Sequence, residues 1–349
     1  MSVLITDFAA SSCLGDGYEI NGAALRCGYD GFLRSNTYFS DKREEVILAQ
    51  VSGLDGITGV TRLQKMAERV VTEIVDKLEG SLSNTPIFLC LPSADRPDVS
   101  DPQYQSEELY RRLNKTFDRQ PHSLDRLIMQ DRVGFAAAID LANEFFEQGQ
   151  TEVLIVSVDS MATSSAIRTY EGQLGQGNGR ILRNGNSAGF IPGEAATACV
   201  VKPFVKNKKG CLVPSVAWGY EPVLISSSQP LRGEGVSQAV KKLQEQTNTT
   251  ADSFSFITSS VSGEVYFFDE AVIAQRRLEG RGPDDQPLWH PADQIGEVGS
   301  VAGSFMVIQA YYAMLKGYAP GYTALALLSN DNHHRAAMYL KFQGGDDAK

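Results

Sequence analysis

The chain has 349 residues, 42% of them hydrophobic, which is enough to bury the core of one large domain or of two closely joined halves. Its net charge is −10, and the most basic stretch, Lys202–Lys209, reads as a surface turn; this argues against a nucleic-acid-binding protein. The five cysteines are scattered and form no CxxC pair, and no histidine sits at ligand spacing with one, so neither a disulfide framework nor a metal site is expected.

The N-terminal MSVLITDFAASSCLGDG lacks a basic segment, so no secretory leader is expected. No apolar run approaches the roughly 20 residues of a membrane span, which leads to an expected cytoplasmic location. Strand and helix patterns then alternate. Val3–Phe8 reads as a strand. Arg62–Gly80 reads as an amphipathic helix with Leu63, Met66, Val70, Ile74 and Leu78 on one face, Thr61 and Gln64 as a capping box and Gly80 as its stop. Ile87–Leu91 is a short strand, Gln103–Phe117 a polar helix and Arg126–Gln130 a strand. Gly134–Gln148 is an alanine-rich helix and Val153–Ser160 a strand, followed by a Gly, Asn and Ser-rich loop as far as Gly185. Ala195–Val201 is the strand which that loop feeds.

The C-terminal part repeats the order. Gly299–Leu315 is a helix apolar on most sides, Thr323–Leu328 a strand, Ser329–Arg335 a polar turn and Ala336–Phe342 a returning strand. A helix followed by Gly, a strand, a turn and a strand occurs twice, which suggests an internal duplication; a helix with no polar face must be covered on most sides. The alternative is a chance likeness of two ordinary βαβ units.

The stretch NSAGFIPGEAATACVV (Asn186–Val201) places Gly189, Pro192, Gly193 and Glu194 before a strand. A phosphate cradle precedes a helix N-terminus and does not fit. A catalytic carboxylate or a structural turn remains. This stretch resembles the GF-x-x-GE-x-A segment of β-ketoacyl synthases of the thiolase-like superfamily. GQTEVLIVSVDS, IGEVGSVAGS and AALRCGYDGF resemble further segments of that family, in the family's order.

The resemblance implies a five-layered αβαβα fold built from two duplicated halves, residues 1–205 and 206–349. It implies that Gly189, Pro192, Gly193 and Glu194 are structural, with Glu194 buried against backbone amides. It also implies a nucleophilic cysteine at the start of the first central helix, two charge-handling residues, usually histidines, from the second half, and a glycine-rich oxyanion turn. This chain departs from the pattern at each position. Arg132, beside Asp131, stands in the cysteine position; Ser260 and Glu297 stand in the histidine positions; SNDNHHRAA replaces the oxyanion turn. His333 and His334 read as turn residues, with lining of the former acyl pocket as the alternative. The cysteines read as small buried apolar groups.

The reading is therefore a degenerate, non-condensing homodimer acting as a scaffold, adaptor or binding protein, without a cofactor. Acyl carrier protein, acyl-CoA or a secretion effector are its expected partners, the last by likeness to degenerate synthase-like proteins of type VI secretion clusters. The alternative is an acyltransferase or acyl hydrolase with altered chemistry. If the alignment holds, Arg132 and Glu297 converge on one buried point, where opposite charges would pair.

Overall fold

The computed structural model describes residues 2–39, 45–78, 82, 84–172, 179–278 and 286–344. The N-terminal portion contains β1 (Val3–Ser12), the short β2 (Gly15–Asp16), α1 (Tyr18–Cys27), the hairpin β3 (Leu33–Phe39) and β4 (Glu45–Leu48), and α2 (Gly59–Leu78). There follow β5 (Ile87–Leu91), α3 (Pro102–Thr116), β6 (Arg126–Met129), α4 (Gly134–Glu147), β7 (Val153–Ser160), α5 (Ser164–Gly172) and β8 (Glu194–Pro203). The C-terminal portion contains β9 (Gly210–Val213), β10 (Val216–Tyr220), α6 (Glu234–Thr247), β11 (Phe256–Ser259), α7 (Val265–Arg277), β12 (Leu288–Trp289), α8 (Ala292–Ile295), α9 (Ala302–Leu315), β13 (Thr323–Ser329) and β14 (His334–Gln343).

The pairing repeats. In the first set the order is β1-β8-β7-β5-β6, with β8 antiparallel to both β1 and β7, and β5 parallel to both β7 and β6. In the second set β10-β14-β13-β11-β12 has the same four relations in the same sequence. Parallel neighbours need long crossovers. Accordingly α3 and α4 carry the chain through β5, β6 and β7, and α7 to α9 carry it through β11, β12 and β13. β9 pairs with both β1 and β14 and so joins the two sets into one sheet.

The layering follows from which faces are apolar. α2 is amphipathic and covers the outside of the first set, burying Met66, Val70 and Ile74, with Leu63 and Leu78 partly buried. α6 covers the outside of the second set with Val236, Ala239, Val240 and Leu243. α4 and α9 lie between the two sets in one shared core, which includes Phe135, Ala138, Phe305 and Ile308. In α9, Gly303 to Met314 are all buried, the state that a helix without a polar face requires. Five layers result: outer helices, sheet, central helices, sheet, outer helices.

Several local expectations change. α2 starts at Gly59, so Thr61 and Gln64 lie inside it and form no capping box; Arg112 donates to the Thr61 hydroxyl at 3.0 Å instead. Gly80 lies outside the described residues. The loop up to Gly185 contains α5, which was missed because its nine residues sit in a Ser/Gly-rich context. α5 is held by a bond from the Ala166 amide to the Thr163 hydroxyl (3.1 Å) and buries Ala166, Ile167 and Tyr170. The polar turn is shorter than Ser329–Arg335. Arg335 belongs to β14 and is fully buried, with its Nε 2.7 Å from Glu270 and its Nη1 donating to the carbonyls of Asn330, Asn332 and His334. Cys90, Cys199 and Cys211 are buried on strands, but Cys27 is exposed at the last residue of α1 and Cys13 is only partly buried, in the turn between β1 and β2.

Candidate functional site

The two central helices open in the same way. Each begins with a single 3₁₀ turn, Asp131–Val133 before α4 and Gly299–Val301 before α9. The first residue of each turn is left-handed, Asp131 at φ 46° and Gly299 at φ 52°. For a non-glycine residue this conformation is strained. Asp131 sits one residue before Arg132, the position where the resemblance places the nucleophile.

Arg132 is buried and points across to the second half. Its Nε and Nη2 lie 3.0 and 2.9 Å from Oε2 of Glu297, and its Nη1 is 2.9 Å from Oδ1 of Asp331. The guanidinium also lies over the Phe267 ring, 5.0 Å from its centre. Oε1 of Glu297 accepts from the Gly299 amide at 2.8 Å, so both carboxylate oxygens are used. Asp331 continues the chain to Arg180, which in turn grips Glu264 through Nε (2.6 Å) and Nη2 (2.9 Å). Three carboxylates thus alternate with two guanidinium groups. Burial pushes Glu264 up, against the pull of Arg180. Although burial opposes ionisation, Arg180 and Arg132 hold Asp331 well below the usual carboxylate range. Its side chain is 34% exposed, so solvent weakens that hold.

Asp131 belongs to a second cluster. Its Oδ1 accepts from the Ser93 amide (3.0 Å) and from Arg96 Nη1 (3.3 Å). Arg96 also donates to both oxygens of Asp98 (2.9 and 3.0 Å) and to both oxygens of Asp159. One guanidinium therefore serves three carboxylates, Asp98 and Asp159 buried and Asp131 partly so, and takes the place at their centre that a cation would need. Burial raises Asp131 to about 6, Arg96 working against this and Asp159 adding to it. Asp159 is raised for the same first reason. Both are short of positive partners, and like charges cannot all ionise cheaply in one buried place.

Ser260 lies at the end of β11 and accepts from the Ser329 amide at 3.1 Å. It shares with Ser262 and Glu297 a cavity of about 10 Å³, roughly the room of a single water. No acyl-sized space remains there. The turn after β13 closes the remaining side. The Asn330 side chain accepts from the Val133 amide (3.2 Å) and donates to the Gln130 carbonyl (3.0 Å), so it occupies a donor at the start of α4. His333 points away, stacked on Tyr220 with ring centres 4.6 Å apart, and His334 is exposed. Neither imidazole reaches Arg132 or Glu297 through any described hydrogen bond. The cysteines lie elsewhere, and burial raises the thiols of Cys13, Cys90 and Cys211 to about 12.

The loop before β8 lies directly beneath this centre. The Glu297 amide donates to the Ile191 carbonyl (2.7 Å), and the Gly193 amide donates to the Glu297 carbonyl (2.9 Å). The Pro192 carbonyl accepts from the Ala49 amide at 2.9 Å. A β-carbon on Gly193 would collide with the Ile295 carbonyl, and one on Gly189 would come within 2.5 Å of the Ile181 carbonyl carbon. Glu194 is fully buried, and among the described residues one backbone amide, that of Val51 (2.8 Å), reaches it. Arg62 (Nε 2.7 Å) and the Ser160 hydroxyl (2.8 Å) supply the rest. Glu194 is buried and takes a backbone amide as expected, and in so deep a place the carboxylate also needs a counter-charge, which α2 brings.

The sequence reading missed Arg62, Arg96, Asp159, Arg180 and Glu264. No local signal marks Arg62, Arg96 or Arg180 as buried. Glu264 and Asp331, by contrast, lie within or beside the two stretches that replace the family's histidine and oxyanion segments.

No family model and no curated protein matches the chain. Solved structures do. A chain of the ishigamide ketosynthase/chain length factor is similar at TM-score 0.71 with 15% identity, over 99% of this chain and 100% of that one. A structure of a type II polyketide acyl carrier protein with its ketosynthase bound to a hexaketide gives 0.78 and 11%, over 98% and 99%. A ketosynthase in complex with its chain length factor from Xenorhabdus doucetiae gives 0.74 and 10%, over 98% of each chain. With the duplicated sheet order and the two central helices, these likenesses show that the chain has the thiolase-like fold of the ketosynthase and chain-length-factor type.

Proposed function

We propose that this protein is a β-ketoacyl-synthase-like protein that does not condense acyl groups and works as a homodimeric scaffold, adaptor or binding protein. One observation carries the reading. The side chain in the nucleophile position is Arg132, and it is locked between Glu297 and Asp331. A guanidinium neither attacks a thioester nor acts as a base at neutral pH. Incubation with acyl-CoA or an acyl carrier protein thioester is expected to leave no covalent acyl group, checked by intact-mass spectrometry. A stoichiometric adduct on the segment 130–134 would overturn the reading.

The homodimer is supported by the sheet edge. β6 ends the first set of strands and has no outer neighbour among the described residues, while Leu127 and Met129 stay half-buried. A strand left in this state invites pairing. Its two-fold mate is the proposed partner, in an interface of roughly 2,000 Å² or more. Light scattering at micromolar concentration is expected to give twice the chain mass of 38.0 kDa. A stable monomer that dimerises only with an intact synthase would replace the homodimer with a heterodimer; one neighbouring structure is named as a ketosynthase in complex with its chain length factor.

Acyl carrier protein is a proposed partner because one neighbouring structure holds one with its ketosynthase. Acyl-CoA and a type VI secretion effector rest on the sequence resemblance alone, and co-purification with each of the three separates them.

A second reading has its own support. Asp131 is a raised carboxyl in a strained turn, a combination found at reaction centres. Under that reading the protein is an acyltransferase or acyl hydrolase that uses Asp131 with Ser260 or Glu297. Thioester turnover abolished by Asp131→Asn would establish it.

A further inference from the structure

The loop between β8 and β9 stands at the end of the molecule away from the ion-pair chain. β8 starts at Glu194, beneath that centre, and runs to Pro203, so the loop begins about 30 Å away. We propose that this loop, residues 204–209, is a contact surface for an anionic lipid bilayer. Two apolar side chains enter the headgroup layer, and three lysines meet the lipid phosphates.

The loop reads FVKNKK. All six residues are exposed, Phe204 at 42% and Val205 at 55%. Asn207 sets the turn: its left-handed backbone (φ 66°) brings the Lys208 amide back to the Val205 carbonyl at 3.4 Å. The apolar pair and the lysines therefore share one projecting tip. Lys202, just before the loop, pairs with Glu152. Lys206, Lys208 and Lys209 have no carboxylate at ion-pair distance among the described residues. The edge continues past the loop. Gln343 Nε2 donates to the Val205 carbonyl at 2.9 Å, and its neighbour Phe342 packs on the exposed Tyr322, with ring centres 5.7 Å apart.

The chain carries a net charge of −10, so three unpaired cations on one tip are a local reversal of sign. Screening makes that reversal count. At physiological salt, charges more than about 8 Å away are largely hidden, so a surface approaching the tip feels the lysines before the distant carboxylates. A projecting tip has no groove that could receive a folded partner's side chains. In a headgroup layer Phe204 and Val205 leave water, the lysine stems follow them, and the ammonium groups stay at the phosphates. Tyr322 has the apolar ring and polar end that suit the same interface. A nucleic acid or an acidic polypeptide would use the lysines and leave Phe204 and Val205 in water. Basic groups and inserted apolar groups together supply the two signals that attachment to a bilayer requires. The surface involves neither Arg132 nor Glu297, so it stands or falls apart from the non-condensing reading.

Sedimentation of the full chain with vesicles is the test. The protein is expected to pellet with equal parts of phosphatidylglycerol and phosphatidylcholine at about 0.1 M salt, and to lose most of that binding at about 0.5 M. It should stay in the supernatant with phosphatidylcholine alone. Lys206→Ala, Lys208→Ala and Lys209→Ala should each weaken binding about fivefold. Phe204→Ser combined with Val205→Ser should weaken it about tenfold and leave its salt dependence unchanged. Phe204→Trp should gain a blue-shifted emission on the anionic vesicles that the parent, with Trp218 and Trp289, does not show. The lipid and salt comparisons on the parent decide the matter even if a variant misfolds. No pelleting with the anionic vesicles, equal binding to both vesicle types, or lysine variants that bind like the parent would each overturn the proposal. So would tighter binding to polyglutamate or duplex DNA than to the vesicles, unchanged by the serine variant, which would give the lysines to an acidic macromolecule.

Discussion

Glu297→Ala is expected to destabilise the protein by about 3 kcal/mol, the low end for breaking a buried pair. The reason is what it leaves behind. Arg132 would keep Asp331, which is partly exposed, but lose the fully buried carboxylate that meets two of its nitrogens. The Gly299 amide would lose its acceptor as well, at the turn that starts α9. Both groups would be desolvated without compensation. Replacing the pair together, as Arg132→Met with Glu297→Leu, should cost less than the sum of the single changes, because no orphaned charge remains between them. Chemical denaturation measures all three variants. A loss for Glu297→Ala within about 0.5 kcal/mol, the range of an ordinary surface substitution, would mean that the pair does not hold the centre together.

Asp131→Asn is expected to act in the opposite direction and to depend on pH. Asp131 sits at about 6 in the folded protein against an ordinary 3.8. The folded state therefore holds this proton more tightly than the unfolded chain does. Its stabilising effect is complete below about pH 4 and is lost as pH rises through 6. A shift of about two units corresponds to about 3 kcal/mol, to order of magnitude, at 1.36 kcal/mol per unit. Asparagine cannot ionise, keeps an acceptor for the Ser93 amide and tolerates the left-handed backbone. The variant should thus be more stable than the parent at pH 7.5 by up to that amount and nearly equal to it at pH 4. Thermal melts across this range give the comparison. Parallel stability profiles for the two proteins would show that Asp131 does not carry the pH dependence.

If both results hold, the turn before α4 is closed by one charged pair and strained by another carboxyl. Asp131 then marks the place where stability has been given up, which is the observation that keeps the altered-chemistry reading testable beside the scaffold.

Much of the architecture was legible in the chain itself. Apolar period and breakers located β5, β7 and α4 to within a residue, and α9 to within three because a 3₁₀ turn opens it, since strands and helices buried on several faces leave long uninterrupted apolar patterns. The repeated order of elements announced a duplication, and the pairing shows it strand by strand. The resemblance placed Arg132 and Glu297 at positions that converge, and their opposite charges implied the contact that the structure shows. The tertiary structure alone decided where the other charges go. Arg62 reaches Glu194 across 132 residues and Arg180 reaches Glu264 across 84. Nothing in either local sequence distinguishes these arginines from solvated ones. A buried ion pair is chosen by the geometry of packed layers and by the desolvation cost at one point in space, and neither quantity is written in residue order.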